Sequence, residues 1–168
     1  MTVAAFDAHY LDDGRASAAA VLFSSYSDGE PAATYTDILP IAVPYVPGKF
    51  YRRELPCILV LLEQIKKLPD ELIIDGHVML GDRPGLGKHL FAAIGGKSPV
   101  IGVAKSGFAG YSGMEIFRGK SRRPLYVTCA GADLEEASEK IRMMHGNHRI
   151  PTLLKLVDFL ARAKAPHA

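Results

Sequence analysis

The stretch Glu71-Leu72-Ile73-Ile74-Asp75-Gly76-His77 decides the expected fold. A short, continuous apolar run of this kind is typical of a strand that helices cover on both faces. Asp75 ends the run, and a carboxylate at the end of a buried strand packs poorly but is a good ligand for a hard cation such as Mg²⁺. The sequence therefore predicts a central strand with a chemically active end.

Three other acidic residues lie in contexts that core packing does not explain. Asp7 ends an apolar run, Glu54 precedes Leu55-Pro56, and Asp158 interrupts the apolar C-terminal stretch. If the four carboxylates converge, they support metal-assisted phosphodiester hydrolysis. Taken singly, Asp7 and Asp75 could be turn caps, Glu54 an acid favoured by a helix dipole, and Asp158 a solvated helix residue.

The elements around the central strand predict an α/β domain. Strands are expected at 2–7, 17–24, 33–43, 71–75, 100–104, 114–118 and 125–129. Helices are expected at 55–67, 86–94, 133–144 and 151–164, with Asp133 as an N-cap. The first strands form an antiparallel meander, and the later alternation of helix and strand gives a mixed β-sheet flanked by α-helices. One domain over 1–168 is expected, with Asp7 and Asp75 on neighbouring strands.

Composition narrows the class of protein further. At 168 residues, with 48% hydrophobic and 23% charged residues, the chain is typical of a globular protein that buries a full core. Cys57 and Cys129 have no metal-ligand spacing and are expected to be buried free thiols. Residues 1–30 resemble neither a secretory leader nor a spanning segment, so a cytoplasmic protein without a membrane partner is expected.

The charge distribution is compatible with nucleic acid without requiring it. The net charge is only +2, but several basic residues fall within one stretch: Lys97, Lys105, Arg118, Lys120, Arg122 and Arg123. A basic strip beside clustered carboxylates suits a polyanion held over a metal site, and a solvated loop is the alternative. His9, His89, His145 and His148 have no ligand spacing and are expected to be structural.

Six segments, in order along the chain, resemble motifs of the endonuclease V family, the deoxyinosine-directed nucleases of the ribonuclease H-like superfamily. They are 6–10 (FDAHY), 44–56 (PYVPG to RELP), 75–90 (DGH to GL and HL), 99–106 (PVIGVAKS), 124–127 (PLYV) and 149–158 (RIP to Asp158). The resemblance implies a ribonuclease H-like fold and a Mg²⁺-dependent nuclease, with Mn²⁺ as a possible substitute. Its expected reaction is cleavage of the second phosphodiester bond 3′ to deoxyinosine.

Residue by residue, the resemblance makes Asp7, Glu54, Asp75 and Asp158 the metal site, with Lys105 as the basic residue beside it. It implies nucleic-acid contacts from Tyr45, Pro47, Gly48, Gly76, His77, Gly85 and Lys120. In this set Tyr45 is a wedge that opens the duplex, and the surroundings of Gly76 and Gly85 hold the extruded base. His77 could instead support a metal ligand from behind or be a packed histidine. The protein is expected to act as a monomer.

Other segments differ from the family pattern. Residues 78–84 replace the expected Gly-x-x-His-Pro-Arg-Arg, and 128–132 replace Ser-Pro-Gly-His. The changes leave the metal carboxylates intact and alter the recognition segments. Two alternatives therefore stay open: a nuclease of the same fold that acts on inosine in RNA or on branched nucleic acid, and a binding protein without turnover.

Overall fold

The computed structural model describes residues 1–40, 47, 51–108 and 110–163. Its strands are β1 Val3–Tyr10, β2 Arg15–Phe23, β3 Ala33–Pro40, β4 Glu71–Asp75, β5 Met79–Leu80, β6 Arg83–Pro84, β7 Val100–Ala104, β8 Met114–Ile116 and β9 Leu125–Ala130. Its helices are α1 Tyr51–Ile65, α2 Leu86–Ala93, α3 Leu134–Arg142 and α4 Thr152–Ala163. None of these helices has both the length and the apolar character needed to cross a bilayer.

Seven strands form one mixed sheet in the order β3-β2-β1-β4-β7-β9-β8. The first three strands are an antiparallel meander, as expected from the sequence. β1, β4 and β7 run parallel to one another, and β9 is antiparallel to both β7 and β8. β4 therefore lies inside the sheet, which is why its apolar run is continuous.

Helices cover both faces of the sheet, and the strand residues alternate between two cores. On β1, Ala4 and Phe6 pack on the side of α1 and α2, whereas Val3 and Ala5 pack on the side of α3 and α4. This alternation follows from the two-residue period of a strand. The predicted α/β fold with a mixed sheet and flanking helices is confirmed.

The sheet register brings two of the acids to one edge. Phe6 pairs with Ile74 in the parallel β1–β4 ladder, so Asp7 and Asp75 are the next residues along the two strands. Parallel strands present the same ends at the same edge, so both carboxylates emerge together. On α4, Leu153, Val157 and Ala161 form the buried face, and Asp158 follows Val157 at its margin.

Helix α1 begins earlier than expected, at Tyr51 and not at residue 55, and it ends at Ile65. Its first turn is held by two contacts that the sequence does not reveal. The Tyr51 ring stacks on His89 with centroids 3.7 Å apart, and the Arg53 guanidinium lies 4.0 Å from the centre of the Tyr10 ring. Glu54 is therefore part of the helix, and Pro56 lies inside it.

Several smaller expectations were confirmed or changed. Residues 78–84, which differ from the family motif and for which no element was predicted, contain the β5–β6 hairpin. Cys57 is buried, as expected, but Cys129 is only half-buried, and both thiols are free. The predicted strand over 33–43 is observed to Pro40, and its last three residues lie outside the described part of the chain. Asp133 is the N-cap of α3, since its carboxylate accepts a hydrogen bond of 2.9 Å from Glu136 N.

Candidate metal centre

The tightest cluster of metal-binding side chains among the described residues consists of Asp7, His9 and Asp158. His9 Nε2 lies 3.0 Å from Asp158 Oδ1 and 3.4 Å from Asp7 Oδ2. One ligand atom from each residue lies within 4.8 Å of the other two. The side chain of Asp7 is only 8% exposed. The structure thus brings the C-terminal half of β1, with Asp7 and His9, against α4.

Asp75 and Glu54 flank this cluster from two other elements. Asp75 Oδ2 lies 3.9 Å from Lys105 Nζ, and both side chains remain accessible at the rim. Glu54 approaches from α1 and lines the same recess as Asp7 and Asp75. Glu54 and Asp75 lie outside the compact group formed by Asp7, His9 and Asp158.

Two recesses meet at the sheet edge, and Asp7 and Asp75 line both of them. The recess towards α1 also contains Glu54. The recess towards α4 also contains Lys105 and Asp158. The arrangement therefore places two acids between two neighbouring spaces, each of which receives one further carboxylate.

The electrostatics of Asp7 are those of a carboxyl group held against other carboxylates. Burial, the charge of Asp75 and a hydrogen bond with Asp158 together raise the pKa of Asp7 from 3.8 to about 8. Burial also raises the pKa of Asp158, but hydrogen bonds with Arg162, Asp7 and His9 outweigh it and leave that pKa below its ordinary value. Without a cation, Asp7 therefore stays protonated and donates a hydrogen bond to the anionic Asp158.

Glu54 and Asp75 show the same shortage of positive charge. Burial, then the charge of Asp75, raises the pKa of Glu54 to about 7, although Tyr10 and Arg53 lower it in part. Burial also raises the pKa of Asp75, which Lys105 lowers and Asp158 raises. Carboxylates that cannot all ionise at neutral pH are a donor set suited to a hard divalent cation. The residues present therefore fit such an ion.

The recognition residues expected from the sequence have different surroundings. Gly76 adopts φ +136°, which favours glycine, and the space beside its Cα is open. His77 Nε2 lies 2.9 Å from Ser106 O, and its ring contacts Phe108 edge-on, so it anchors the loop after β7. Gly85 is buried, and a Cβ there would lie 2.8 Å from His77 O. Gly85 is thus a close-packing position at the start of α2.

The remaining expected contacts lie near the edge of the described chain or on its surface. Tyr45 and Gly48 lie outside the described residues, whereas Pro47 is exposed in a turn. Lys120 is also exposed. The prediction that Arg118 belongs to an exposed basic strip is wrong, because its side chain is buried. Its guanidinium donates hydrogen bonds to the carbonyls of 142, 144, 146, 148 and 149 and so holds the segment before α4.

The sequence missed three residues that shape the site. His9, expected to be structural, instead lies in the carboxylate cluster, and its spacing of two residues from Asp7 on a strand is the signal that could have found it. Arg162 contacts both oxygens of Asp158 at 3.2 Å, a spacing of one helical turn. Arg149 donates hydrogen bonds to Pro124 O and Lys105 O. This last contact could not be read from the sequence, because it joins separate loops.

Comparisons with known proteins agree with this arrangement. Residues 1–121 match the sequence model of the family described as Endonuclease V. The endonuclease V of Nostoc punctiforme is 30% identical over 184 aligned residues, which cover 96% of this chain and 82% of the relative. The chain belongs to the endonuclease V family. It is therefore a member of a family of DNA-repair nucleases, and the resemblance found in the motifs is confirmed.

Solved structures of endonuclease V share the fold. The Streptomyces avermitilis endonuclease V is 26% identical and superposes with a TM-score of 0.78 over 97% of this chain and 80% of its own. The Ciona intestinalis endonuclease V, at 19% identity, superposes with a TM-score of 0.82 over 97% of this chain and 84% of its own. It was solved with a 23mer DNA that contains an inosine followed by a ribo-adenosine.

Proposed function

We propose that this chain is a divalent-cation-dependent endonuclease that cleaves DNA 3′ to deoxyinosine. The observation that carries the proposal is the meeting of Asp7, Asp75 and Asp158 at one sheet edge, with Glu54 facing them from α1. A buried carboxyl group with a raised pKa lowers the stability of the fold as the pH rises, so its burial is not explained by stability. It does prepare a site in which a cation displaces the proton.

In this proposal the four carboxylates hold the cation or cations, with Asp7 and Asp75 shared between the two recesses. Mg²⁺ is the expected ion, with Mn²⁺ as a substitute. Bound divalent cations supply an activated water and neutralise charge on the leaving oxygen. Asp7 would give up its proton when the site is filled, and Arg162 orients Asp158 through contacts with both of its oxygens.

Basic residues beside the carboxylates support a polyanionic substrate. Lys105 reaches the rim from the end of β7, and a recess next to Asp158 is lined by Lys105, His148, Arg149 and Lys155. Phosphate oxygens of a nucleic-acid backbone match this combination of charge and hydrogen-bond donors. We propose that Lys105 contacts the phosphate next to the scissile bond, because its ammonium group already lies near Asp75.

Base recognition is proposed from the relatives and from the open side of Gly76. The Ciona intestinalis protein was solved with inosine-containing DNA, and we extend that substrate to this chain. The extruded base would lie beside Gly76, and Pro47 is proposed as a separate nucleic-acid contact. Tyr45, Gly48 and Lys120 are proposed as further contacts, with Tyr45 as the wedge that unstacks the duplex. Since one chain supplies every carboxylate, we propose that the protein acts as a monomer.

The direct test is cleavage of a 5′-labelled duplex with one deoxyinosine, beside the same duplex with deoxyguanosine. We expect Mg²⁺-dependent nicking at the second phosphodiester bond 3′ to the lesion, with a 3′-hydroxyl and a 5′-phosphate. Asp75→Asn is the inactive control, since it removes a carboxylate shared by both recesses. Absence of cleavage at high enzyme concentration, on both DNA and RNA and with either Mg²⁺ or Mn²⁺, would reject the nuclease. Tight, salt-sensitive binding without cleavage would point to a binding protein.

A second candidate substrate is inosine in RNA. The ribo-adenosine that follows inosine in the Ciona intestinalis complex favours it. Matched oligonucleotides that differ only in the sugar 3′ to inosine would separate the two substrates. Preference for the ribonucleotide by at least about tenfold in kcat/KM, equivalent to about 1.4 kcal/mol in transition-state binding, would favour RNA.

A further inference from the structure

His9 lies on the same face of β1 as Asp7, because side chains two residues apart on a strand point to the same side. This is the face that α4 covers, and Asp158 comes from that helix. The imidazole therefore stands between two carboxylates from different elements. Only 26% of the His9 side chain is exposed, so the imidazole lines the site and is not a surface group.

The donor atoms are spaced like neighbouring ligands of one ion. His9 Nε2 is 3.0 Å from Asp158 Oδ1 and 3.4 Å from Asp7 Oδ2. Adjacent ligands of an octahedral cation with bonds of about 2.1 Å lie roughly 3 Å apart. No backbone movement is needed for the imidazole to share an ion with either carboxylate.

We propose that His9 Nε2 is a ligand of the cation held between Asp7 and Asp158, and that this nitrogen raises the affinity of the site for Mn²⁺ relative to Mg²⁺. The inference rests on the proposed metal-dependent function and deepens it by naming the metal preference. A site made of the four carboxylates alone has only oxygen donors, which suit both Mg²⁺ and Mn²⁺, whereas imidazole is a ligand of first-row transition-metal ions. Mn²⁺ accepts both kinds of donor, so a mixed set of one nitrogen and carboxylate oxygens raises its relative affinity.

The alternative role for His9 is that of a hydrogen-bonding partner that only holds the two carboxylates together. The two roles differ in what happens when the ring is removed. A ligand carries part of the Mn²⁺ affinity, so its loss weakens Mn²⁺ binding more than Mg²⁺ binding. A mere partner only orients the two carboxylates, so its loss changes the affinities for Mn²⁺ and Mg²⁺ to a similar extent.

The experiment measures metal binding to the full chain without nucleic acid. Calorimetric titration with Mn²⁺ and with Mg²⁺ is compared between the wild type and His9→Asn. We expect the substitution to weaken Mn²⁺ binding by about tenfold or more and Mg²⁺ binding by less than about threefold. The control is His145→Asn, because the His145 ring bonds the Thr152 hydroxyl and lies outside the carboxylate cluster. It should leave both affinities unchanged.

Electron spin-echo spectroscopy of the Mn²⁺-bound wild type gives a readout that does not depend on the variant folding. Coordination by His9 produces ¹⁴N modulation, which changes when histidine is labelled with ¹⁵N and disappears in His9→Asn. Absence of ¹⁴N modulation in the wild type, or equal loss of both affinities, would overturn the inference. Nitrogen coordination without any cleavage would leave the inference standing and reject the proposed function.

Discussion

Replacing Asp7 with asparagine should stabilise the cation-free protein at alkaline pH and abolish cleavage at the same time. The asparagine side chain has nearly the same shape as protonated Asp7 but carries no ionisable proton. The Asp7 side chain is 8% exposed and faces Asp75 and Asp158. Ionisation of this group in the folded protein is therefore unfavourable, and the substitution removes it.

The size of the effect follows from the pKa of Asp7, which moves from 3.8 to about 8 on folding. The unfolded chain loses this proton near pH 3.8 and the folded chain keeps it until about pH 8, so folding takes up a proton between those values. Stability therefore falls as the pH rises through this window, and the full penalty is present above it. At about 1.4 kcal/mol per pKa unit, the penalty is on the order of 6 kcal/mol for Asp7 alone.

Because Asp158 shares the proton and water relaxes around the charges, we expect the measured gain to be smaller, about 2–3 kcal/mol. Urea unfolding in EDTA at pH 5.5 and pH 9 measures it for the wild type and Asp7→Asn. The variant should be more stable at pH 9, and the difference between the two proteins should be smaller at pH 5.5. Saturating Mg²⁺ at about 100 times Kd should stabilise the wild type by about 2.7 kcal/mol and the variant by much less.

Asp12→Asn is the matched control, because Asp12 is exposed in the turn between β1 and β2. It should change the free energy of unfolding by less than about 0.5 kcal/mol at both pH values. Some pH dependence below pH 7 should persist in Asp7→Asn, since the pKa of Glu54 is also raised, to about 7. Parallel pH profiles for the wild type and Asp7→Asn would refute the argument that Asp7 is held protonated.

Three further outcomes test other parts of the structure. Lys105→Met should lower kcat/KM for nicking by about 10–100-fold, or ~1–3 kcal/mol, and leave urea unfolding unchanged, because Lys105 lies at the rim 3.9 Å from Asp75. An unaltered kcat/KM would exclude its proposed phosphate contact. Arg118→Gln should lower stability in thermal unfolding by ~3 kcal/mol or more, because it leaves buried carbonyl groups without hydrogen-bond donors. Lys120→Ala, at an exposed position, should have no such effect, and equal stability of the two variants would contradict the role of Arg118 in holding the segment before α4. Gly102→Ala should lower the free energy of unfolding by ~1–3 kcal/mol, since the added Cβ would lie 2.5 Å from the backbone oxygen of Gly76 in the turn after β4. An unchanged free energy of unfolding would show that the turn can move.

Much of the fold could be predicted from local patterns. The continuous apolar run before Asp75 indicated a strand inside the sheet, and Asp133 marked the start of α3. The ends of α1 and the β5–β6 hairpin could not be predicted in this way. They depend on contacts with distant residues, such as the stacking of Tyr51 on His89, which no local pattern records.

The sequence by itself determined the order of strands and helices, the family and the four acidic candidates, because strand and helix periods and motif spacing are local properties of the chain. Only the tertiary structure decided which candidates meet, since the β1–β4 register and the docking of α4 set the distances between them. Those distances changed two expectations. His9 was expected to be structural but lies between Asp7 and Asp158. Arg118 was expected to be exposed but is buried, and its guanidinium donates hydrogen bonds to backbone carbonyls. Burial and the proximity of like charges then raise the pKa of Asp7, and neither cause exists until the chain is folded.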